Sequence, residues 1–248
     1  MTDEHPKPLA GRVSIVTGAS SGIGEATARL LAENGCNVAL AARRKERLES
    51  LAAEIGDQAL AVPTDITDPE SAARLVARTV EHFETVDVLV NNAGLGLYAP
   101  ITEGNPEDWR RMFDVNVLGA LYVTRAAARY MLQRGSGAIV FVSSAAGRRV
   151  PHGHGAVYAA TKHAITAISE GLRIDLHDKG IRVINVEPGL VRTEFPQNSF
   201  GSPDEYYAAK EYAPLEAQDI AEAVLYAIRQ PARVSVNEVL IRPTKQPN

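Results

Sequence analysis

Tyr158-Ala159-Ala160-Thr161-Lys162 carries the most pointed chemical signal in the chain. Positions four apart share one face of a helix, a turn from each other, so the phenol and the ammonium are neighbours. A cation beside a phenol favours the phenolate and draws down a pKa that is otherwise about 10. Such a tyrosine can exchange a proton with a substrate oxygen near neutral pH. The competing reading is a solvated lysine beside a tyrosine packed on the core, and the pair alone does not decide between them. The deciding question is whether other segments bring a cofactor and a second hydroxyl to this turn.

A second segment has the chemistry of a phosphate seat. Val13 to Val16 is a short apolar run that stops at Thr17-Gly18-Ala19-Ser20-Ser21-Gly22-Ile23-Gly24, after which Ala26, Leu30 and Leu31 recur at helical spacing. Glycines there permit a tight bend and close approach, and the following helix points free amides and the positive end of its dipole at the turn. A third segment selects among dinucleotides. The next strand, Cys36 to Ala41, ends at Ala42-Arg43-Arg44, where a unit that binds NAD usually carries an acid for the ribose hydroxyls. A planar guanidinium at Arg43 pairs instead with a 2'-phosphate, which argues for NADP. The plain alternative is that Arg43 and Arg44 open the charged helix 45–55.

The elements that must position these residues alternate along the chain. Further strands are expected at Ala59 to Val62, Val86 to Val90, Ala138 to Val142, Val183 to Val186 and Glu238 to Ile241. Asp65, just after the third strand, can accept from an adenine amino group or serve as a turn residue. Asn91-Asn92-Ala93-Gly94 closes the fourth, with residues small enough for a flat cofactor. One long helix is expected from Asn105 as N-cap with Pro106 in its first turn. Its apolar residues lie on more than one face, as in a helix covered by its own sheet and by a neighbouring subunit. Asn116 interrupts that run and, as a buried amide, needs partners, for which a water or a lysine would serve. The central helix, from about Ala156 to Lys179 with Gly180 as its stop, carries Tyr158 and Lys162 in its first turns.

Strands and helices alternating in this way describe an α/β fold: a Rossmann-like, doubly wound parallel sheet of about seven strands with helices on both faces. Ligands bind such sheets beyond the carboxyl ends of the strands, where the glycine turn, Asp65, Asn92 to Gly94, Ser144 and Pro188-Gly189 all fall. Residues 10–248 are expected to form a single domain, 1–9 a mobile polar tail without the apolar core of a signal peptide, and 194–212 a substrate lid.

Composition excludes other classes. Against 26 basic residues stand 30 acidic ones, for a net charge of -4, and no basic stripe suggests nucleic acid. No apolar run approaches the roughly 20 residues needed to span a bilayer. Cys36 is the single cysteine, so neither a disulfide framework nor a cysteine-built metal site is expected, and a reducing cytoplasm fits. His152 and His154 stand two apart among glycines without a carboxylate or cysteine nearby, and are read as loop or substrate-facing residues rather than metal ligands.

TGASSGIG at Thr17 to Gly24, NNAG at Asn91 to Gly94, Asn116, Ser144, YAATK at Tyr158 to Lys162 and PG at Pro188-Gly189 stand in the order found in short-chain dehydrogenases/reductases, and the whole chain resembles that family. The resemblance implies a nicotinamide cofactor, NADP(H) in view of Arg43. It implies a small carbonyl or alcohol substrate and a homotetramer. Tyr158 would be the general acid/base, Lys162 would bind the ribose and lower the tyrosine pKa, Ser144 would hold the substrate oxygen, and Asn116 would anchor a proton-relay water. Cofactor contacts would come from Gly18, Ser20, Ser21, Gly22, Ile23, Gly24, Arg43, Arg44, Asp65, Ile66, Asn92, Ala93, Gly94, Tyr158, Lys162, Pro188, Gly189, Val191 and Thr193.

One departure stands out. Family members usually place the serine thirteen residues before the tyrosine, whereas Ser144 is fourteen before Tyr158, so this loop is one residue longer. Within the family, Pro188 to Phe195, Asp219 to Val224 and Val236 to Gln246 resemble the branch of NADP-dependent 3-hydroxy acid dehydrogenases and small aldehyde reductases. That implies a polar aldehyde or 3-oxo acid, or the matching alcohol, with Arg148, Arg149, Arg192 and the histidines as possible carboxylate partners. The alternatives are a 3-oxoacyl thioester reductase and a non-catalytic NADP-binding sensor.

Overall fold

The computed structural model describes residues 7–200 and 202–247. Seven strands form one all-parallel sheet in the order β3-β2-β1-β4-β5-β6-β7. They are β1 (Val13–Thr17), β2 (Asn37–Ala42), β3 (Ala59–Pro63), β4 (Val88–Asn91), β5 (Gly137–Val142), β6 (Ile181–Pro188) and β7 (Glu238–Ile241). Helices α1 (Gly22–Glu33), α2 (Lys45–Ile55) and α3 (Pro69–Phe83) follow the first three strands. After β4 come α4 (Pro106–Phe113) and α5 (Ala120–Arg134), and after β5 comes α6 (Ala156–Leu176). Two short helices, α7 (Gln197–Phe200) and α8 (Pro203–Ala208), precede α9 (Ala217–Ile228).

Strand residues point alternately to the two faces, and the core divides accordingly. Val16, Leu40, Val88, Val90 and Val140 pack under α1, α2 and α9, where Leu31, Leu48 and Ile220 meet them. Ile15, Ala39, Leu89, Ile139 and Phe141 face the other way, onto Leu75 of α3, Val123 and Met131 of α5, and Ile165 of α6. Each fully buried large aliphatic side chain contributes about 1.5–3 kcal/mol by leaving water, so both layers hold the strand ends firmly in place. The chain leaves β1 on one side toward β2 and β3 and returns on the other at β4, paired through Val16 and Val90. Between β1 and β4 the strand order reverses, and there a parallel sheet opens its crevice.

One expectation is refined and one needs correction. The long helix after Asn105 runs without a break from Pro106 to Arg134, but between α4 and α5 it widens into a π-helical stretch, Asp114–Gly119, with Asn116 inside it. Asn105 does cap α4, accepting from the Glu107 amide. Packing begins earlier than residue 10, because Leu9 is fully buried and its amide donates to the Asn34 carbonyl at 3.1 Å. The rest of the expected tail, residues 1–6, lies outside the described residues. The central helix ends at Leu176, followed by a turn at whose end Gly180 takes φ +71 against the Gly135 carbonyl.

Candidate active site

The strand ends surround one cleft of about 1010 Å³. Its floor is stitched where β1 meets β4. The Thr17 hydroxyl donates to the Val90 carbonyl at 3.3 Å and accepts from the Asn92 and Ala93 amides at 3.0 and 3.1 Å, while Asn92 Nδ2 donates to the Thr17 carbonyl at 2.9 Å. The glycine turn lies directly on this stitch. Gly18 and Gly22 take φ +68 and +56, which disfavour any side chain. A Cβ on Gly18 would come within 2.8 Å of Asn92 Nδ2, and one on Gly24 would collide with the Gly18 carbonyl oxygen. Gly24 is therefore a packing residue beneath the turn and does not line the cleft, unlike Gly18, Ser20, Ser21, Gly22 and Ile23. The N-terminus of α1 has no side-chain cap, so its first amides face the cleft unsatisfied by Ser21.

Arg43 and Arg44 both line the cleft beyond the end of β2. Arg44 reaches back to the glycine turn, Nε to the Ser20 hydroxyl at 3.0 Å and Nη2 to the Ser21 hydroxyl at 2.6 Å. Arg43 is exposed and acts on Asp65 through charge alone. Asp65 serves first as a turn residue: its Oδ1 accepts from the Thr67 amide and hydroxyl at 3.0 and 2.7 Å, and these bonds hold its carboxyl below the usual range. Ile66, Asn92, Ala93, Gly94, Pro188, Gly189, Val191 and Thr193 complete the lining from the other strand ends.

At the opposite end, the first turn of α6 presents Tyr158 and Lys162, both buried. Lys162 Nζ lies 5.7 Å from the Tyr158 ring centre and donates to the Val142 carbonyl at 3.0 Å. Burial pushes the lysine down to about 8 and the phenol up to about 12, against a hydrogen bond from Ser144 that favours the phenolate. The expected depression of the phenol by Lys162 is thus outweighed, in the protein chain by itself, by the cost of burying a phenolate. Ser144 is the serine within reach of Tyr158, whereas the buried Ser143 hydroxyl donates to the Lys162 carbonyl at 3.2 Å. The loop between Ser144 and α6 is exposed at positions 148–154.

Asn116 does not line the cleft. Its Nδ2 donates to the Leu95 carbonyl at 2.8 Å and to the Thr161 hydroxyl at 3.0 Å, and its Oδ1 accepts from the Leu95 amide at 2.7 Å. These bonds tie the π-helical stretch to the segment after β4 and to the turn of α6 between Tyr158 and Lys162. Both amide hydrogens are thus taken by protein groups, and Oδ1 keeps a second lone pair beside its bond to Leu95.

Sequence reasoning reached His152 and the stretch 194–212 but missed Tyr98, which stands between them in the wall of this end. The Tyr158 ring is flanked by Tyr98 at 5.5 Å and Phe195 at 5.6 Å between ring centres, and His152 lies 5.7 Å from Tyr98. Tyr206, Tyr207, Tyr212 and Lys210 line the same end. The region read as an irregular lid contains α7 and α8, and it is tied down: Ser199 Oγ donates to the Gly96 carbonyl and accepts from the Tyr98 amide, both at 3.1 Å. Tyr207 donates to the Val191 carbonyl at 2.6 Å. The suggested carboxylate partners are mostly engaged elsewhere. Arg148 is paired with the buried Glu187 and with Glu238, and Arg192 stands 3.5 Å from Glu216, outside the cleft. The signals in the sequence were the aromatic density of 194–212 and the histidines of the loop before α6, and nothing marked Tyr98.

The sequence pattern of the short chain dehydrogenase family matches residues 12–203. The chain is a short-chain dehydrogenase/reductase. As such it is an oxidoreductase, and its relatives agree. It is 40% identical over 233 residues to an uncharacterized oxidoreductase of Staphylococcus epidermidis, covering 94% of this chain and 97% of the relative. The closed form of a serine dehydrogenase complexed with NADP+ superposes with a TM-score of 0.91 at 35% identity, over 95% of this chain and 96% of that one. An alcohol dehydrogenase from the archaeon Thermococcus sibiricus, complexed with 5-hydroxy-NADP, gives 0.85 at 33% identity over 96% and 98%. Among the described residues no helix is long and apolar enough to cross a membrane.

Proposed function

We propose that this short-chain dehydrogenase interconverts a small polar alcohol, such as a 3-hydroxy acid, and its carbonyl form with NADP(H) as cofactor. The observation that carries the reading is the polarity of the cleft at the strand ends: a cationic seat at Arg43, Arg44, Ser20 and Ser21 at one end, and Ser144, Tyr158 and Lys162 at the other. The donor set suits a phosphorylated dinucleotide, with uncapped amides of α1 for the pyrophosphate and the Arg43 fork for a 2'-phosphate. When bound, the nicotinamide supplies or accepts the hydride.

The chain's own residues do the rest. In reduction, Tyr158 donates its proton to the carbonyl oxygen while the Ser144 hydroxyl holds that oxygen as a second donor. Lys162, whose buried amine already bonds a carbonyl at the cleft wall, takes the ribose hydroxyls and returns a proton toward Tyr158. Asn116 acts by holding the turn between them through Thr161, and the second lone pair of its Oδ1 can take a relay water. Residues 194–212 form the lid, and a homotetramer is supported by the apolar face left open at Phe113, Leu118 and Leu132. The cytoplasm remains the proposed location, on the single buried thiol.

A polar, acidic substrate is supported by the serine dehydrogenase neighbour and by Lys210 in the cleft wall. The test is NADPH oxidation by the purified protein against small semialdehydes, 3-oxo acids and 3-oxoacyl thioesters, beside NADP-dependent oxidation of serine and 3-hydroxy acids. Turnover of the acids or semialdehydes supports the reading. Turnover of thioesters alone moves the protein to 3-oxoacyl thioester reduction, and cofactor binding without any turnover favours a sensor.

A further inference from the structure

Glu194 is the first lid residue beyond Thr193, yet its carboxylate reaches across the cleft mouth to the adenosine end. Oε2 accepts from Arg44 Nη1 at 3.0 Å, and Arg47 Nη1 donates to both oxygens at 2.8 and 2.9 Å. Arg44 is the shared member: its other two nitrogens hold the Ser20 and Ser21 hydroxyls of the glycine turn. The carboxylate is kept well charged, its pKa lowered first by the hydrogen bond from Arg47. A carboxylate therefore sits on the guanidinium next to Arg43, beside the Ser20 and Ser21 hydroxyls, within the seat proposed for a 2'-phosphate.

We propose that Glu194 is an internal stand-in for the 2'-phosphate, strapping the lid to the cofactor seat and tuning selectivity between phosphorylated and unphosphorylated dinucleotides. This deepens the NADP(H) reading and rests on it. A 2'-phosphate entering between Arg43 and the Ser20-Ser21 hydroxyls carries more charge than a carboxylate and takes the Arg44 fork. Glu194 then keeps Arg47, so the lid loses one arm of the strap and retains the other. An unphosphorylated ribose does not displace the Arg44 arm. Glu194 thus costs the phosphorylated cofactor part of its affinity and leaves the unphosphorylated one nearly untouched.

The experiment is calorimetric titration of the full-length protein and its Glu194→Gln variant with 2',5'-ADP and with 5'-AMP. The position is half-exposed, so the isosteric change leaves the fold intact, which circular dichroism checks. In the variant 2',5'-ADP binds about two- to fivefold more tightly, the range of an exposed ion pair, while 5'-AMP changes less than twofold. The gain shrinks at high salt. Unchanged or weaker binding of 2',5'-ADP, or an equal gain for 5'-AMP, overturns the proposal while leaving the NADP(H) reading intact. If the wild-type protein binds both fragments equally, the NADP(H) reading itself falls and the proposal with it.

Discussion

At the glycine-turn end of the cleft, two turns are pinned by the sheet: Thr17 and Asn92 knot β1 to β4, and Gly18 and Gly24 leave no room for a methyl group. At the substrate end, the wall is made of side chains from three separate stretches, Tyr98, His152 and Phe195 to Tyr212, which meet through ring contacts and a few bonds at Ser199 and Tyr207. On the proposed function, backbone geometry at the first end would recognise what nicotinamide dinucleotides share, whereas replaceable side chains at the second would decide the substrate. A parallel sheet separates the two tasks, because strand ends are fixed by the core and the loops beyond them are not.

The largest effect is expected where the two ends meet. Tyr158→Phe removes the proton donor and should lower kcat by about 10²–10⁴-fold, with the Kd for NADPH unchanged by fluorescence titration. Near-normal turnover would remove Tyr158 from the mechanism. The phenol, pushed up to about 12, stays protonated at neutral pH. Reduction, which needs the phenol and the Lys162 ammonium that resupplies its proton, should hold at pH 6 to 7 and fall as pH rises through about 8, where buried Lys162 loses its charge, and oxidation, which needs the phenolate, should climb with pH over the same range.

Next comes the adenosine end. Arg43→Ala removes an exposed guanidinium held by no hydrogen bond, so its loss should be read almost purely in cofactor affinity. The Kd for NADPH should rise about tenfold or more, the scale of a charge-assisted hydrogen bond of about 1.5–3 kcal/mol, and that for NADH should change far less. Equal weakening of both would reduce Arg43 to a structural role.

The contrast in packing is testable with two small substitutions. Gly24→Ala places a methyl group against the Gly18 carbonyl and Asn92, and should cost about 1–3 kcal/mol of stability along with cofactor binding. Gly153→Ala, in the substrate-side loop, meets nothing within 4 Å and should leave the melting temperature and cofactor affinity as they were. Thermal denaturation of both variants beside the wild type decides the matter, and a tolerated Gly24→Ala would show the turn to be looser than its contacts imply.

This contrast also explains what was legible beforehand. Apolar runs that stop at Gly18, Asn91 or Pro188 announce strand ends, and once the fold is a doubly wound sheet those ends must converge. The spacing of Tyr158 and Lys162 announces proximity but not burial, and burial sets the direction of both pKa values here. The π-helical stretch depends on the bonds of Asn116 to Leu95 and Thr161, partners 21 and 45 residues away, which helical periodicity cannot express. Likewise Tyr98 and Phe195 are unremarkable until the lid folds over the segment after β4.

The smallest effect, and the most local to the substrate end, concerns Lys210. Its ammonium stands 4.1 Å from the centre of the Tyr206 ring, lines the cleft, and helps hold the His152 imidazole below its usual pKa after burial has done so. Two cationic or potentially cationic groups that oppose each other across a substrate chamber are relieved by an anion between them. Lys210→Met keeps the apolar stem over Tyr206 and removes only the charge. The KM for a carboxylate-bearing substrate should rise about three- to fivefold, as for a partly exposed ion pair, while kcat, the KM of a neutral aldehyde and the Kd of NADPH stay within twofold. A matching rise for the neutral aldehyde would mean that Lys210 packs the lid and does not read the substrate's charge.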